Sequence, residues 1–327
     1  MNITLIGNHQ VPYSTESDWA WTYEDLGHRV FKHQENIATT EDIWEDAQKS
    51  DLVHYVHTHG WNTPGQMPIE DVLSRCKQAG IPTVGIHLDY WRGLAREEDV
   101  GTHPWWNCDY IFTADGGSND WYREKGINHF YLKAGVCKRD CYLGEYDEKY
   151  ACDVAFVGSY GYHPEWPYRQ RLIDWLQETY GERFRRFAGD VDPPGTVRGA
   201  DLNALYATAK VVVGDTLCLG FEHTNYFSDR LFETTGRGGF LIFPHIEGIE
   251  DCFETDLSGS FELPVELVEY EFQNFAQLKR QIDKYLLAED MRDEVRMAGF
   301  ERTRRDHTYN NRAEEVFAQL RKDGVIK

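Results

Sequence analysis

A cation, a carboxylate and a helix start occur together within residues 224–243. A serine N-cap followed by aspartate predicts a helix over residues 228–235, which ends at a cluster of glycines before a short apolar strand over residues 240–243. Arg230 and Glu233 are three residues apart and therefore share one face of that helix. The free N–H groups of a helix start favour anions. Two interpretations explain Arg230, Glu233 and the helix start equally well. One is a binding site for a nucleoside diphosphate, and the other is a surface ion pair on an ordinary helix.

Strands and helices must alternate along the chain to position such a site. The first series of predicted strands covers residues 3–7, 28–33, 51–57, 83–88, 110–113 and 130–132, and the second covers residues 154–157, 184–188, 211–213 and 240–243. Repeated strand–helix units of this length indicate parallel sheets covered on both faces, and the usual crossover handedness favours Rossmann-like folds. The fold class is therefore α/β.

The alternation lapses in a polar, cysteine-bearing stretch over residues 136–151. We therefore predict two Rossmann-like domains, residues 1–140 and residues 141–327, with a C-terminal helical tail in the second. The tail helices are predicted over residues 275–287, 291–305 and 310–320. Open parallel sheets bind ligands beyond the carboxyl ends of their strands, so we expect the ligand in a cleft that both domains face.

Composition limits the classes of partner. The 327 residues carry a formal net charge of −21, which repels nucleic acid and acidic membranes over most of the surface. No signal peptide and no membrane span are predicted, which indicates a cytoplasmic protein. Seven cysteines, an odd number, suggest reduced thiols. Neither their spacing nor the carboxylates form a convincing metal site, so we expect no metal and no cofactor.

Polar residues follow several predicted strands of the first half. Gly7 and Asn8 follow the first strand, where a glycine allows a sharp turn and a ligand's approach to the backbone. A simple strand-end turn explains them as well. His57 and His59 follow the third strand, and two histidines at this spacing point in opposite directions, which suits one metal ion poorly. We interpret one as a ligand contact and the other as structural.

Three further strand ends carry candidate residues. His87 and Asp89 place an imidazole and a carboxylate where general base chemistry requires them, with capping as the competing role. Gly158 and Ser159 follow a strand of the second half and could cradle a phosphate with their amides. Tyr226 could stack on a base or sugar, or pack beneath the loop.

The segments over residues 226–236 and 239–242 resemble the C-terminal signature of CgeB-like glycosyltransferases, which are retaining enzymes of the GT-B fold related to glycosyltransferase family 4. The tail segments over residues 281–286, 297–300 and 307–312 are similar to the closing helices of that family. Near the N-terminus, Leu26-Gly27-His28-Arg29-Val30 is similar to the leucine-glycine-histidine-x-valine motif of glycosyltransferases. The resemblance implies a donor site in the second domain and an acceptor side in the first.

The resemblance also implies roles for single residues. Glu233 matches the second glutamate of the family's E-x7-E pattern, which holds the nucleotide ribose hydroxyls. The first glutamate falls on Asn225, whose amide can still hydrogen-bond a sugar. Arg230 would neutralise the departing diphosphate, a bidentate task suited to a guanidinium. Gly158 and Ser159 match the phosphate-facing loop.

The remaining roles concern the base and the acceptor. Gly189 lies where these enzymes often hold the nucleotide base. His87 and Asp89 follow the strand that contributes acceptor-side residues, with Asp89 as the candidate base. Other residues expected on the acceptor side are Gly7, Asn8, His57 and His59.

The implied reaction is transfer of a sugar from a nucleotide sugar, with a UDP-sugar as the expected donor, to an unidentified acceptor. Polysaccharide, protein, a small metabolite and modified nucleic acid are the acceptor classes left open. Retention and independence of metal follow from the resemblance. Two alternatives remain: a nucleotide-sugar epimerase or hydrolase of the same fold, and a two-domain ligand-binding protein without catalysis.

Overall fold

A computed structural model describes residues 1–56, 69–161, 166–190, 196–217, 225–257 and 264–327. The chain forms two compact units. The first contains Met1–Lys133 and Tyr309–Lys327, and the second contains Ala134–Thr308. Each unit is built on a parallel sheet of six strands, which confirms the predicted pair of Rossmann-like domains.

The first unit has the strand order β2-β1-β3-β4-β5-β6. Its strands are β1 (Asn2–Gly7), β2 (Arg29–Gln34), β3 (Leu52–Val56), β4 (Thr83–His87), β5 (Tyr110–Thr113) and β6 (His129–Tyr131). Its helices are α1 (Thr15–Asp25), α2 (Thr40–Ala47), α3 (Ile69–Ala79), α4 (Asn119–Glu124) and the last helix of the chain, α10 (Tyr309–Lys322). All residues of β3, β4 and β5 are buried, as expected for strands covered on both faces.

The second unit has the strand order β11-β12-β10-β9-β7-β8. Its strands are β7 (Val154–Val157), β8 (Phe184–Phe187), β9 (Val211–Val213), β10 (Leu241–Pro244), β11 (Thr255–Asp256) and β12 (Leu267–Tyr270). Its helices are α5 (Tyr168–Tyr180), α6 (Ala200–Thr208), α7 (Asp229–Gly236), α8 (Phe275–Leu287) and α9 (Glu289–Asp306). The short strands β11 and β12 were not predicted from the sequence.

Helix α10 packs on the first unit, whereas the sequence placed the whole tail with the second domain. Its Tyr309 ring lies 5.4 Å from Trp19, and its Phe317 ring lies 5.7 Å from Tyr23, with both partners on α1. All four rings are buried. Burial of this aromatic face against α1 stabilises α10 in the first unit.

Among the helices of the described ranges, none has the length and apolar character that a membrane crossing would require.

Candidate functional site

Helix α7 begins without a side-chain cap. Ser228 occupies the N-cap position in an extended conformation, but its hydroxyl does not accept a bond from the first turn. Instead, the Ser228 hydroxyl donates to the backbone oxygen of Asp215 at 3.1 Å. Ser228 therefore does not supply the side-chain acceptor that usually satisfies one N–H group of the first turn. A helix start of this kind favours an anion.

Arg230, in the first turn of α7, reaches across the carboxyl ends of β7 and β9. Its Nε donates to the backbone oxygen of Val157 at 2.9 Å, and its Nη1 donates to Oδ1 of Asp215 at 2.8 Å. The side chain is 16% exposed. These bonds hold the guanidinium in one place at the strand ends, next to the uncapped helix start.

Asp215 bridges two arginines inside the second unit. Its carboxylate is fully buried, and its Oδ2 accepts from Nε of Arg169, in the first turn of α5, at 2.8 Å. Burial lowers the pKa of Arg230 from its ordinary value, and the Asp215 carboxylate opposes that effect. A guanidinium nevertheless stays charged in proteins. The three side chains thus carry a formal charge of about +1 beside the α7 start, which is suited to a phosphate.

The loop after β7 lies against Arg230. A Cβ added to Gly158 would lie 2.8 Å from Nη2 of Arg230, and the φ angle of Gly158 is +153°. Glycine is therefore required for the guanidinium to approach the backbone so closely. Ser159 follows directly and is partly exposed. The structure brings the predicted Gly158, Ser159 and Arg230 together at one end of the sheet.

The loop after β8 joins the same region. The N–H of Tyr160 donates to Oδ2 of Asp190 at 3.1 Å, and Nη1 of Arg186 donates to Oδ1 of Asp190 at 2.7 Å. Arg186 also donates to the backbone oxygen of Gly158 at 3.2 Å. Gly189, next to Asp190, is exposed at this junction. The predicted base-side residue therefore lies in a loop that is tied to the predicted phosphate loop.

Glu233 lies one turn further along α7 and is paired with Arg237. Nε of Arg237 donates to Oε2 of Glu233 at 2.6 Å, at the i, i+4 spacing that favours such a pair. The Glu233 side chain is 23% exposed, whereas Arg237 is 5% exposed. The carboxylate is thus held from its buried side and remains partly accessible.

Asn225 and Tyr226 precede α7 in different environments. Asn225 has a left-handed backbone, with φ at 61°, and its N–H donates to the backbone oxygen of Glu247 at 2.9 Å. Its Oδ1 lies so close to Gly248 that a Cβ there would be 1.9 Å away. The Tyr226 side chain is 4% exposed. Asn225 therefore lies against the loop that follows β10, and the Tyr226 ring lies in the interior.

Gly7 and Asn8, at the end of β1, are held by packing and local hydrogen bonds. A Cβ on Gly7 would lie 2.3 Å from Cγ of Glu16, so the glycine makes room for helix α1. Oδ1 of Asn8 accepts from Nε2 of Gln34 at 3.3 Å, and its backbone oxygen accepts from the Ser14 hydroxyl at 2.7 Å. The predicted His57 and His59 lie outside the described residues.

His87 and Asp89 lie close together at the end of β4. The N–H of Asp89 donates to Nδ1 of His87 at 3.2 Å, and the imidazole packs edge-on against Trp91 at 4.9 Å. Oδ2 of Asp89 pairs with Nη1 of Arg96 at 3.3 Å. The Asp89 side chain is 30% exposed, so it is accessible. The Arg96 bond fixes the direction in which the Asp89 carboxylate points.

A second carboxyl group of the first unit has an unusual environment, which the sequence did not reveal. Glu35 follows β2, and its Oε2 is buried without a hydrogen-bond partner among the described residues. Burial, followed by the nearby Glu16, raises the pKa of Glu35 to about 7. The group therefore takes up a proton near neutral pH.

This raised pKa predicts a pH dependence of stability. Between about pH 4.3, the ordinary pKa of glutamate, and pH 7, the folded chain holds the Glu35 proton more tightly than the unfolded chain. The contribution of the Glu35 proton to the free energy of unfolding is fully present below that range and is lost as pH rises to 7. In urea unfolding from pH 4.5 to 8, Glu35→Gln should flatten this fall, whereas the exposed Glu45→Gln should not. Parallel wild-type and Glu35→Gln curves would contradict the assignment.

Comparison with protein families identifies a match that covers most of the second unit and continues into α10. A family model described as "Glycosyl transferase-like" matches residues 145–318, just over half of the chain. The matched segment includes Arg230, Glu233 and the side chains to which they pair, Asp215 and Arg237. No curated protein matches the chain in a sequence comparison.

Solved structures of similar fold cover almost the whole chain. Sucrose-phosphate synthase from Thermosynechococcus elongatus aligns with a TM-score of 0.56 at 12% identity, covering 98% of each chain. An alpha-glucosyltransferase in complex with UDP-glucose and DNA containing an abasic site aligns with a TM-score of 0.64 at 11% identity, covering 98% of this chain and 99% of that chain.

HepE of Anabaena, in complex with UDP and glucose, aligns with a TM-score of 0.59 at 11% identity, covering 98% of this chain and 100% of that chain. At these identities the likeness concerns the fold, which is GT-B.

Proposed function

Because the chain belongs to the glycosyl transferase-like family, we propose that it transfers a sugar from a UDP-sugar to an acceptor hydroxyl. The observation that carries the proposal is the buried Arg169–Asp215–Arg230 cluster beside the start of α7, which the Ser228 side chain does not cap. Donors fixed where charge develops in the transition state stabilise it without reorganisation. UDP as the nucleotide is supported by the complexes in which structures of similar fold were solved.

Each proposed donor-site residue would contact a different part of the nucleotide sugar. Arg230, the amides of the α7 start and the loop of Gly158 and Ser159 would bind the diphosphate as it leaves. Glu233 would accept hydrogen bonds from the ribose, and Gly189 would lie beside the base. Each of these residues is at least partly exposed or borders a partly exposed loop, as ligand contact requires. Asn225 is the candidate for the sugar contact.

Finer features of the reaction extend the same proposal. We expect retention of anomeric configuration, no bound metal, a CgeB-like relationship within the family and a cytoplasmic location. On the acceptor side, Asp89 with His87 remains the proposed base, oriented by Arg96. The charge of −21 argues against a polynucleotide acceptor, although an alpha-glucosyltransferase of similar fold has been solved with DNA in several structures. Polysaccharide, protein and small metabolites remain as acceptor classes.

A melting experiment with nucleotide sugars tests the donor. UDP-sugars should raise the melting temperature more than GDP-, ADP- or TDP-sugars, since a ligand at 100 times its Kd stabilises the folded state by about 2.7 kcal/mol. The Arg230→Ala variant should lose most of the shift. A panel that leaves the wild-type melting temperature unchanged would contradict the proposal and favour a protein that binds another ligand.

Incubation without an acceptor separates transfer from its enzymatic alternative. A transferase should leave the UDP-sugar largely intact over hours, because water is a poor substitute for the bound acceptor. Rapid release of free sugar, or its isomerisation, would contradict transfer and favour a hydrolase or an epimerase.

A further inference from the structure

Arg237 makes more contacts than a surface ion pair with Glu233 would require. Its Nη1 donates to Oδ1 of Asn203 at 2.5 Å and to the backbone oxygen of Gly199 at 3.3 Å. Its Nη2 pairs with Oδ2 of Asp140 at 3.1 Å. With the Glu233 bond, all three guanidinium nitrogens are engaged. Arg237 is therefore fixed in position by groups outside α7.

The groups that hold Arg237 are themselves anchored. Asn203, on α6, is fully buried, and its Nδ2 donates to the backbone oxygens of Asp140 and Tyr142 at 2.8 and 2.7 Å. Burial works against the charge of Arg237, but the carboxylates of Glu233 and Asp140 more than offset it and raise its pKa. The guanidinium cannot follow a movement of Glu233 without breaking these contacts.

Only one carboxylate oxygen of Glu233 accepts a hydrogen bond from the described residues. Oε2 is held by Arg237, whereas no group in the described parts of the chain donates a hydrogen bond to Oε1. Because rotation of the carboxylate is restricted by the Arg237 bond, Oε1 has a defined direction. Only a fixed acceptor can distinguish a hydroxyl from a hydrogen atom strongly, since a mobile one relaxes toward water.

We propose that Arg237 is a positioning residue that aims Glu233 at the ribose hydroxyls of the donor and so sets the preference for ribose over deoxyribose. The inference rests on the proposed function, in which the second unit binds a nucleoside diphosphate. Protein groups engage all three guanidinium nitrogens of Arg237. Its effect should therefore appear in the discrimination between nucleotides and leave the diphosphate contact intact.

Calorimetric titration with UDP and with 2′,3′-dideoxy-UDP tests this role. The wild type should bind UDP at least about 10-fold more tightly, since a hydrogen bond to a charged group contributes about 1.5–3 kcal/mol. In Arg237→Lys, the preference should fall to within about 3-fold, while the Kd for dideoxy-UDP stays near the wild-type value. That retained affinity also shows that the variant is folded.

Two further variants sharpen the test. Asp140→Asn removes one anchor of Arg237 and should reduce the preference about 2- to 5-fold, so the inference stays testable if Arg237→Lys does not fold. Arg292→Lys alters another buried arginine of the same unit, which binds the backbone oxygen of Tyr285, and should leave the preference unchanged.

Different failures have different meanings. A full ribose preference in folded Arg237→Lys, or in Asp140→Asn if that is the variant that folds, would overturn the positioning role. If the wild type binds UDP and dideoxy-UDP with equal affinity, Glu233 makes no ribose contact, and the positioning role of Arg237 is overturned. Absence of binding of either nucleotide to the wild type would overturn the proposed function, and this inference with it.

Discussion

Replacement of Arg230 by alanine should raise the Kd for UDP about 10- to 100-fold and lower the rate of donor turnover about 100- to 1,000-fold. Arg230 supplies a fixed guanidinium at the ends of β7 and β9, beside the uncapped start of α7. Charge grows on the diphosphate as the sugar leaves, so the effect on turnover should exceed the effect on binding. Calorimetry and an assay of UDP release measure the two quantities.

Two variants serve as controls for Arg230→Ala. Arg230→Lys keeps the charge but loses the planar guanidinium. Its Kd for UDP and its rate of donor turnover should lie between those of the wild type and those of the alanine variant. Arg183→Ala removes a 56% exposed arginine of the same unit that pairs with Asp153, and should change neither quantity. If the Kd for UDP and the rate of donor turnover of Arg230→Ala both stay within about 3-fold of the wild-type values, Arg230 is excluded from the site.

Asp215→Asn should reduce the free energy of unfolding by about 3–5 kcal/mol. The substitution leaves Arg169 and Arg230, which are 6% and 16% exposed, facing each other without the carboxylate that neutralises one of them. In a unit of this size such a loss should lower the melting temperature by roughly 6–20 °C. Thermal and urea unfolding measure it.

A surface ion pair gives the contrast for Asp215→Asn. Asp201 pairs with Lys149 at 3.0 Å but is 63% exposed, so Asp201→Asn should cost less than about 1 kcal/mol. Equal melting temperatures for Asp215→Asn and the wild type would mean that Asp215 is not the counter-ion that the geometry indicates.

Local signals in the sequence predicted the elements of the fold well. Helix α7 was predicted over residues 228–235 and is observed over Asp229–Gly236, because the serine cap and the glycines that end it are short-range signals. Helix α8 has the predicted limits, Phe275–Leu287. The association of α10 with the first unit depends on ring contacts with Trp19, about 290 residues away in the chain. No local pattern encodes such a contact.

The candidate site was predicted only in part, because local spacing shows which residues share a helix face and does not show which distant residues meet. The spacing of Arg230 and Glu233 places them on one helix face and made them candidates, and the family resemblance then implied their roles. Asp215 and Arg169 are 46 residues apart and meet only because β9 ends beside the start of α5. Arg237 could have been found, since it lies four residues after Glu233 at the spacing of a helical ion pair. Its anchoring by Asn203 could not, because that contact joins two helices.

Titration of UDP into the wild-type protein by calorimetry is the most direct test of the nucleotide site in the second unit. We expect one saturable site per chain, with a Kd between about 1 µM and 1 mM, the range in which enzymes usually bind substrates. A UDP-sugar should displace the bound UDP. A cooperatively folded wild-type chain that shows no saturable binding of UDP, GDP, ADP or TDP at concentrations of about 10 mM, well above that range, would contradict the donor site.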